Sequence, residues 1–146
     1  MSMIEPRIES PEAVRAEWLD HLDALFPRVK GWAEGSGWRT RPSTKPVTEP
    51  GLGRYEVPLL LMERDEVEVI FSPVARTAPG AEGVVDLCLM PGHDDVASLY
   101  FEGGRWFIHP AFPPGPKANH SSIETERLPL DRGTIDRVLD AVAAHA

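Results

Sequence analysis

The chain has 146 residues, 42 % of them apolar and 26 % charged, with a formal net charge of −8 and one cysteine, Cys88. That is enough chain for one soluble globular domain with a core of its own; a lone cysteine excludes an internal disulfide framework and fits a reducing compartment, so the cytoplasm is the expected location. No apolar run approaches the ~20 residues of a membrane helix, and Met1–Pro6 has neither the basic nor the apolar region of a signal peptide.

The charge is concentrated. Residues 51–100 hold nine acids against three bases, a net of −6. Such a field repels phosphate backbones, so no nucleic acid is expected as a partner, whereas a basic protein is. The plainer reading of the acidity is solubility.

In chain order, Ser10-Pro11-Glu12 is a helix start, with Ser as N-cap and Pro at the first helical position. Val14, Trp18, Leu22, Leu25, Phe26, Val29 and Trp32 then recur at three- and four-residue steps, which predicts an amphipathic helix over 11–34. Pro27 interrupts this stripe without changing its phase, so a kinked helix or two abutting ones is expected. Gly35-Ser36-Gly37 ends the run.

Residues 38–109 read as a sheet. Trp38–Arg41 opens a first strand, and Pro42, Pro46 and Pro50 make its continuation an edge strand or an extended loop. In 55–62, Tyr55, Val57, Leu59 and Leu61 are expected on one face and Glu56, Pro58, Leu60 and Met62 on the other. Glu63–Glu66 connects to Val67–Phe71, an alternating strand that Pro73 is expected to end. Ala78–Gly83 is a turn region. In the next strand Val85, Leu87 and Leu89 are expected to be buried, opposite Asp86, Cys88 and Met90. Pro91–Asp95 punctuates again. Gly103-Gly104 between Leu99–Phe101 and Trp106–Ile108 is a hairpin signal, because the tight hairpin turns need positive φ.

Short connectors without crossover helices favour an antiparallel meander. Residues 109–127 form a Pro-rich loop, and Asp131 caps a last helix over 131–145 with Ile135, Val138, Leu139 and Val142 as its apolar stripe. The expected fold is therefore α+β: an antiparallel meander sheet of five or six strands, with N- and C-terminal helices packed on one face.

The residues singled out for binding fall in three groups. Glu56, Glu68 and Asp86 occupy the non-core parity of three successive strands, and converge on one face if those strands are neighbours in matching register; Arg39 and Arg41 share that parity as counter-charges. His93, Asp94 and Asp95 put an imidazole beside two carboxylates in a strand-end loop, and with His109 and His120 they make a metal site conceivable, although the spacing fits no familiar metal motif. Tyr100 and Phe107 fall opposite Leu99, Phe101, Trp106 and Ile108, on a face that invites a partner or a second copy of the chain. Each has a bland counterpart: a salt-bridged solvated face, a turn built for backbone reasons, a face covered by the Pro-rich loop. Cys88 reads as an inert thiol in an apolar strand, and His21 and His145 as solvent-facing helix residues.

No serine-nucleophile or phosphate-loop motif is present. No catalytic residue, cofactor or metal ligand is therefore assigned. The expected function is a non-enzymatic protein-binding module, in its sharpest form an inhibitor or immunity protein of the bacterial kind, since acidic inhibitors suit basic nuclease surfaces. The alternatives are a small-ligand or metal-binding enzyme with a pocket between the sheet and the 109–127 loop, and a subunit of a homo-oligomer.

Overall fold

The computed structural model describes residues 10–76, 82–110 and 127–145. The expected loop at 109–127, with His120, lies almost wholly outside the described residues. Helix α1 (Pro11–Gly35) starts where the side chain of Ser10 accepts the N–H of Ala13 at 3.1 Å. It runs unbroken through Pro27. It ends in a Schellman arrangement: Gly37, at φ 90°, donates to the Glu34 carbonyl, and Trp38 donates to that of Ala33. Helix α2 (Arg132–His145) starts with a reciprocal cap, Thr134 N–H to Asp131 Oδ1 at 2.8 Å and Asp131 N–H to Thr134 Oγ1 at 2.9 Å.

Between the helices lies one antiparallel sheet in the order β1-β2-β3-β4-β5-β6-β7. Its strands are β1 (Arg39–Glu49), β2 (Gly53–Arg64), β3 (Val67–Ala75), β4 (Gly83–Leu89), β5 (Asp94–Glu102), β6 (Arg105–Pro110) and β7 (Leu128–Pro129). The meander is as expected, with one strand more. The seventh is a two-residue pairing of Leu128 and Pro129 with Ile108 and Phe107, too short to show periodicity. The β5–β6 turn puts Gly103 and Gly104 at φ 61° and 78°.

Both helices cover the same face. Trp18, Leu22, Leu25, Phe26, Val29 and Ala33 of α1 and Ile135, Val138, Leu139 and Val142 of α2 join one buried cluster with Leu60, Met62, Val69, Phe71, Val85, Leu87, Leu99 and Ile108 of the sheet. Phe26 meets Phe71 at 5.0 Å between ring centroids, and Trp18 meets Trp106 at 6.2 Å. Each such side chain contributes roughly 1.5–3 kcal/mol through removal from water. His21, expected in solvent, is half-buried with its ring 4.2 Å from that of Phe101.

Tyr55, Val57, Leu59 and Leu61 alternate with Glu56, Pro58, Leu60 and Met62 in an unbroken register with β1, but burial changes phase along the strand: Val57 is buried, then Leu60 and Met62, with Leu59 and Leu61 only half so. The phase changes where β2 parts from β3, because β2 pairs with β1 along its whole length but with β3 only from Leu60↔Phe71 to Arg64↔Val67. Pro73 does not end β3. It stands beyond the last β2 pair and at a register shift against β4, two settings in which a strand tolerates proline.

Candidate functional site

The face opposite the helices is built from the residues that alternate with the core positions. Beside Phe71, Leu87 and Leu99 stand Ser72, Asp86 and Ser98, and the register Ser72↔Asp86↔Ser98↔His109 lines them up across β3 to β6. One step towards the β4–β5 turn runs the row Ile70↔Cys88↔Asp95. One step the other way, Tyr100 pairs with Val84 and with Phe107.

Asp95 reaches its row through a bulge. Leu87 pairs with Ala97 but Cys88 pairs with Asp95, so Val96 is the extra residue and is buried. Lys45 arrives from β1. Past Leu60 the β1–β2 ribbon is no longer laddered to β3, and side chains bridge the two: the ammonium of Lys45 donates to Ser72 Oγ at 2.5 Å, and Glu49 Oε2 accepts the Arg76 N–H at 2.8 Å. The tip of the ribbon is tied by Arg15 Nη1 to the Leu52 carbonyl and by the Tyr55 hydroxyl to Glu49 at 2.7 Å.

The result is a half-buried polar group in the middle of the sheet. Ser98 Oγ donates to Asp86 Oδ1 at 2.9 Å, and Cys88 Sγ donates to Asp95 Oδ1 at 3.4 Å. Donor atoms of Asp86, Cys88 and Asp95 all lie within 4.8 Å of one another. Burial raises the Asp86 pKa and the negative charge of Asp95 adds to it, against the Ser98 hydrogen bond and the Lys45 charge. Burial lowers the Lys45 pKa, against the charge of Asp86. Burial, the hydrogen bond to Asp95 and the nearby Asp86 push the Cys88 thiol up to about 12.

Cys88 stays protonated at neutral pH and is a poor nucleophile. The Ser72 oxygen lies against the Lys45 amine, whose pKa burial lowers. What the group offers is carboxylate oxygen, from Asp86 and Asp95, to a cationic or donor-rich ligand.

The residues expected from the sequence are placed as follows. Asp86 and His109 share the central row, and Tyr100 and Phe107 form the neighbouring pair, the Phe107 ring lying 4.2 Å from the Arg127 guanidinium and 5.9 Å from that of Arg105. His93 is exposed in the β4–β5 turn at φ 60°, and Asp94 is exposed opposite Leu89. Glu68 is exposed opposite Glu63, whose carboxylate holds Arg39 at 2.7 Å. It lies four residues along β3 from Ser72, roughly 13 Å at strand rise. Glu56 is exposed opposite Pro46, in the part of β2 that does not pair with β3. The three acids therefore do not meet.

The sequence reading missed Lys45, Ser72 and Ser98 as members of the site, and had Asp95 beside His93 in the loop rather than beside Cys88 and Asp86. Ser72 and Ser98 were within reach of strict alternation, as the polar neighbours of Phe71 and Leu99. Asp95 depends on a bulge and Lys45 on how the ribbon folds back, and neither has a local signal. No protein-family model matches the chain, and no curated protein and no solved structure matches it.

Proposed function

We propose that this chain is a non-enzymatic binding protein that takes a basic protein partner on the sheet face opposite its helices, with a lysine or arginine of the partner set against Asp86 and Asp95. The observation that carries this reading is the carboxylate pair on that face, Asp86 half-buried mid-sheet and Asp95 exposed towards the β4–β5 turn, with Ile70, Tyr100 and Phe107 in the neighbouring rows. A charged group so placed suits a desolvated interface centre ringed by apolar and aromatic side chains. The net charge of −8 steers a basic partner towards it. An inhibitor or immunity role is the sharpest form of the same reading.

The test is co-purification from the native host with a tagged chain at low salt, beside the Asp86→Asn/Asp95→Asn double variant. A stoichiometric basic partner, released by salt and lost from the variant, supports the proposal. A partner equally well retained by the variant, or none at all, overturns it.

One observation favours a second reading: Asp86, Cys88 and Asp95 present three donor atoms close enough to share a divalent cation. The Lys45 ammonium beside them works against it. Calorimetric titration with zinc and with manganese decides, since a chain that holds no cation gives no binding heat with either.

A further inference from the structure

The side chains of Ser72 and Lys45 meet at 2.5 Å between Oγ and Nζ, and binding a basic partner at Asp86 and Asp95 uses neither of them. We propose that Ser72 is a nucleophile that accepts an acyl group from a small carboxylic ester, with Lys45 as the base that takes its proton.

Three observations carry this reading. First, nucleophile and base are in contact. Ser72 stands one residue beyond the last β2–β3 pair, Leu60↔Phe71, and Lys45 reaches it from β1 across the open end of that ladder. A serine hydroxyl is a weak nucleophile until a base stands within hydrogen-bond reach, and lysine serves as that base in serine–lysine pairs. As an ammonium Lys45 donates to the Ser72 oxygen; as a neutral amine it accepts from the hydroxyl. Second, the surroundings of Lys45 favour the neutral form. Lys45 is half-buried opposite Val57, which is 1 % exposed, and burial lowers its pKa more than the neighbouring Cys88 and Asp86 raise it. Third, the ammonium that forms has a counter-charge. Asp86 stands opposite Ser72 across β3 and β4, and its carboxylate acts on the Lys45 charge. Asp86 is a positioning residue in this arrangement.

The step balances within the pair and the ester. Ser72 Oγ bonds to the acyl carbon, and its proton passes to Lys45 Nζ. The ester C–O bond breaks with its electron pair on the leaving oxygen, which takes the proton back from Lys45. The products are an O-acyl serine and a free alcohol. Ser72 is half-buried rather than enclosed, so a small ester reaches it.

The probe is p-nitrophenyl acetate, incubated with the full chain, with the acetyl located and timed by peptide mass spectrometry. The expected result is an acetyl on Ser72, formed at a rate that levels off at a pH below the ordinary lysine value of 10.5. Lys45→Arg keeps the charge and the Ser72 hydroxyl but is no base in this range. It should slow acetylation of Ser72 about a hundredfold, the lower end of what a positioned base contributes. Lys45→Met, which keeps the apolar stem, should do the same, and circular dichroism shows that each variant is folded. An O-acetyl can pass to the amine 2.5 Å away, so an acetyl on Lys45 supports the proposal only when Ser72→Ala abolishes it. Acetylation of Lys45 in the Ser72→Ala chain, acetylation of Ser72 at the parent rate in folded Lys45→Arg or Lys45→Met, or no acetyl on either residue would each overturn the proposal.

Discussion

Gly83→Ala tests the packing of α1 on the sheet, because two effects of opposite sign compete there. Gly83 opens β4 opposite Phe101, and its φ is outside the left-handed region. In an unobstructed strand the change would stabilise by roughly 0.5–1 kcal/mol, since glycine loses the most backbone entropy on folding. Here a Cβ would stand 3.1 Å from Cε3 of Trp18 and nearer still to Cζ3 and Cη2. The indole has little room to retreat: it is 1 % exposed, with the Trp106 ring 6.2 Å away. Inserting a methyl into such a contact costs typically 1–3 kcal/mol, which outweighs the entropic gain. Urea unfolding followed by tryptophan fluorescence should show a loss of about 1–2 kcal/mol, and a melting temperature lower by roughly 2–4 °C per kcal/mol for a chain of this size. Adding Trp18→Leu should recover part of the loss, a coupling of at least ~0.5 kcal/mol between neighbours. If Gly83→Ala is as stable as the parent, or more so, the close approach of Trp18 to β4 is wrong.

Three further predictions rest on separate features. Glu66, with Asp65, turns β2 into β3 at φ 70° and 52°; Glu66→Gly should stabilise by about 1 kcal/mol in the same unfolding assay, because a non-glycine residue in the left-handed region costs roughly 1–2 kcal/mol. Cys88, raised from 9.0 to about 12, should react with iodoacetamide at pH 8 roughly a thousandfold more slowly than an unperturbed thiol, and at the ordinary rate once urea unfolds the chain; rapid alkylation of the folded chain would contradict its burial. The folded pKa of Asp86 is raised, so its contribution to stability is fully present below the ordinary carboxylate value and is lost as pH rises through the folded one. Asp86→Asn, which keeps an oxygen for Ser98, should therefore gain on the parent at neutral pH and show no gain at about pH 3; a difference independent of pH would count against that cause.

Much of the fold was legible because it is written in local patterns. Ser10-Pro11, the three-and-four spacing from Trp18 to Val29, Gly37 and the Gly103-Gly104 pair each specify backbone geometry within a few residues, and each lies where expected. The alternation of Val67, Val69 and Phe71 gave the core face of β3 for the same reason. What escaped was non-local. Leu128-Pro129 pairs with β6 because the Leu130 N–H finds the Trp106 carbonyl at 3.1 Å, more than twenty positions back in the chain. The change of face along β2 depends on where β3 lets go of it. Of the site, Asp86, Tyr100 and Phe107 followed from parity; His109 was expected beside the His93 loop but stands in the Asp86 row, and the position of Asp95 needed the bulge at Val96.

That parting of β2 from β3 has the larger consequence. In a regular sheet β1 and β3 lie two strand spacings apart, roughly 10 Å. A glutamate side chain does not span that distance, yet Glu49 accepts from the Arg76 backbone at 2.8 Å. The outer half of the ribbon therefore folds inward over the end of β3 once the ladder stops at Leu60↔Phe71. On one side this carries Lys45 to Ser72 and closes the polar group around Asp86. On the other it turns Pro58 and Leu59 towards α1 and opens a groove at Phe26 and Pro27. The contact of Lys45 with Ser72, which completes the polar group around Asp86, thus goes with one interruption in a ladder.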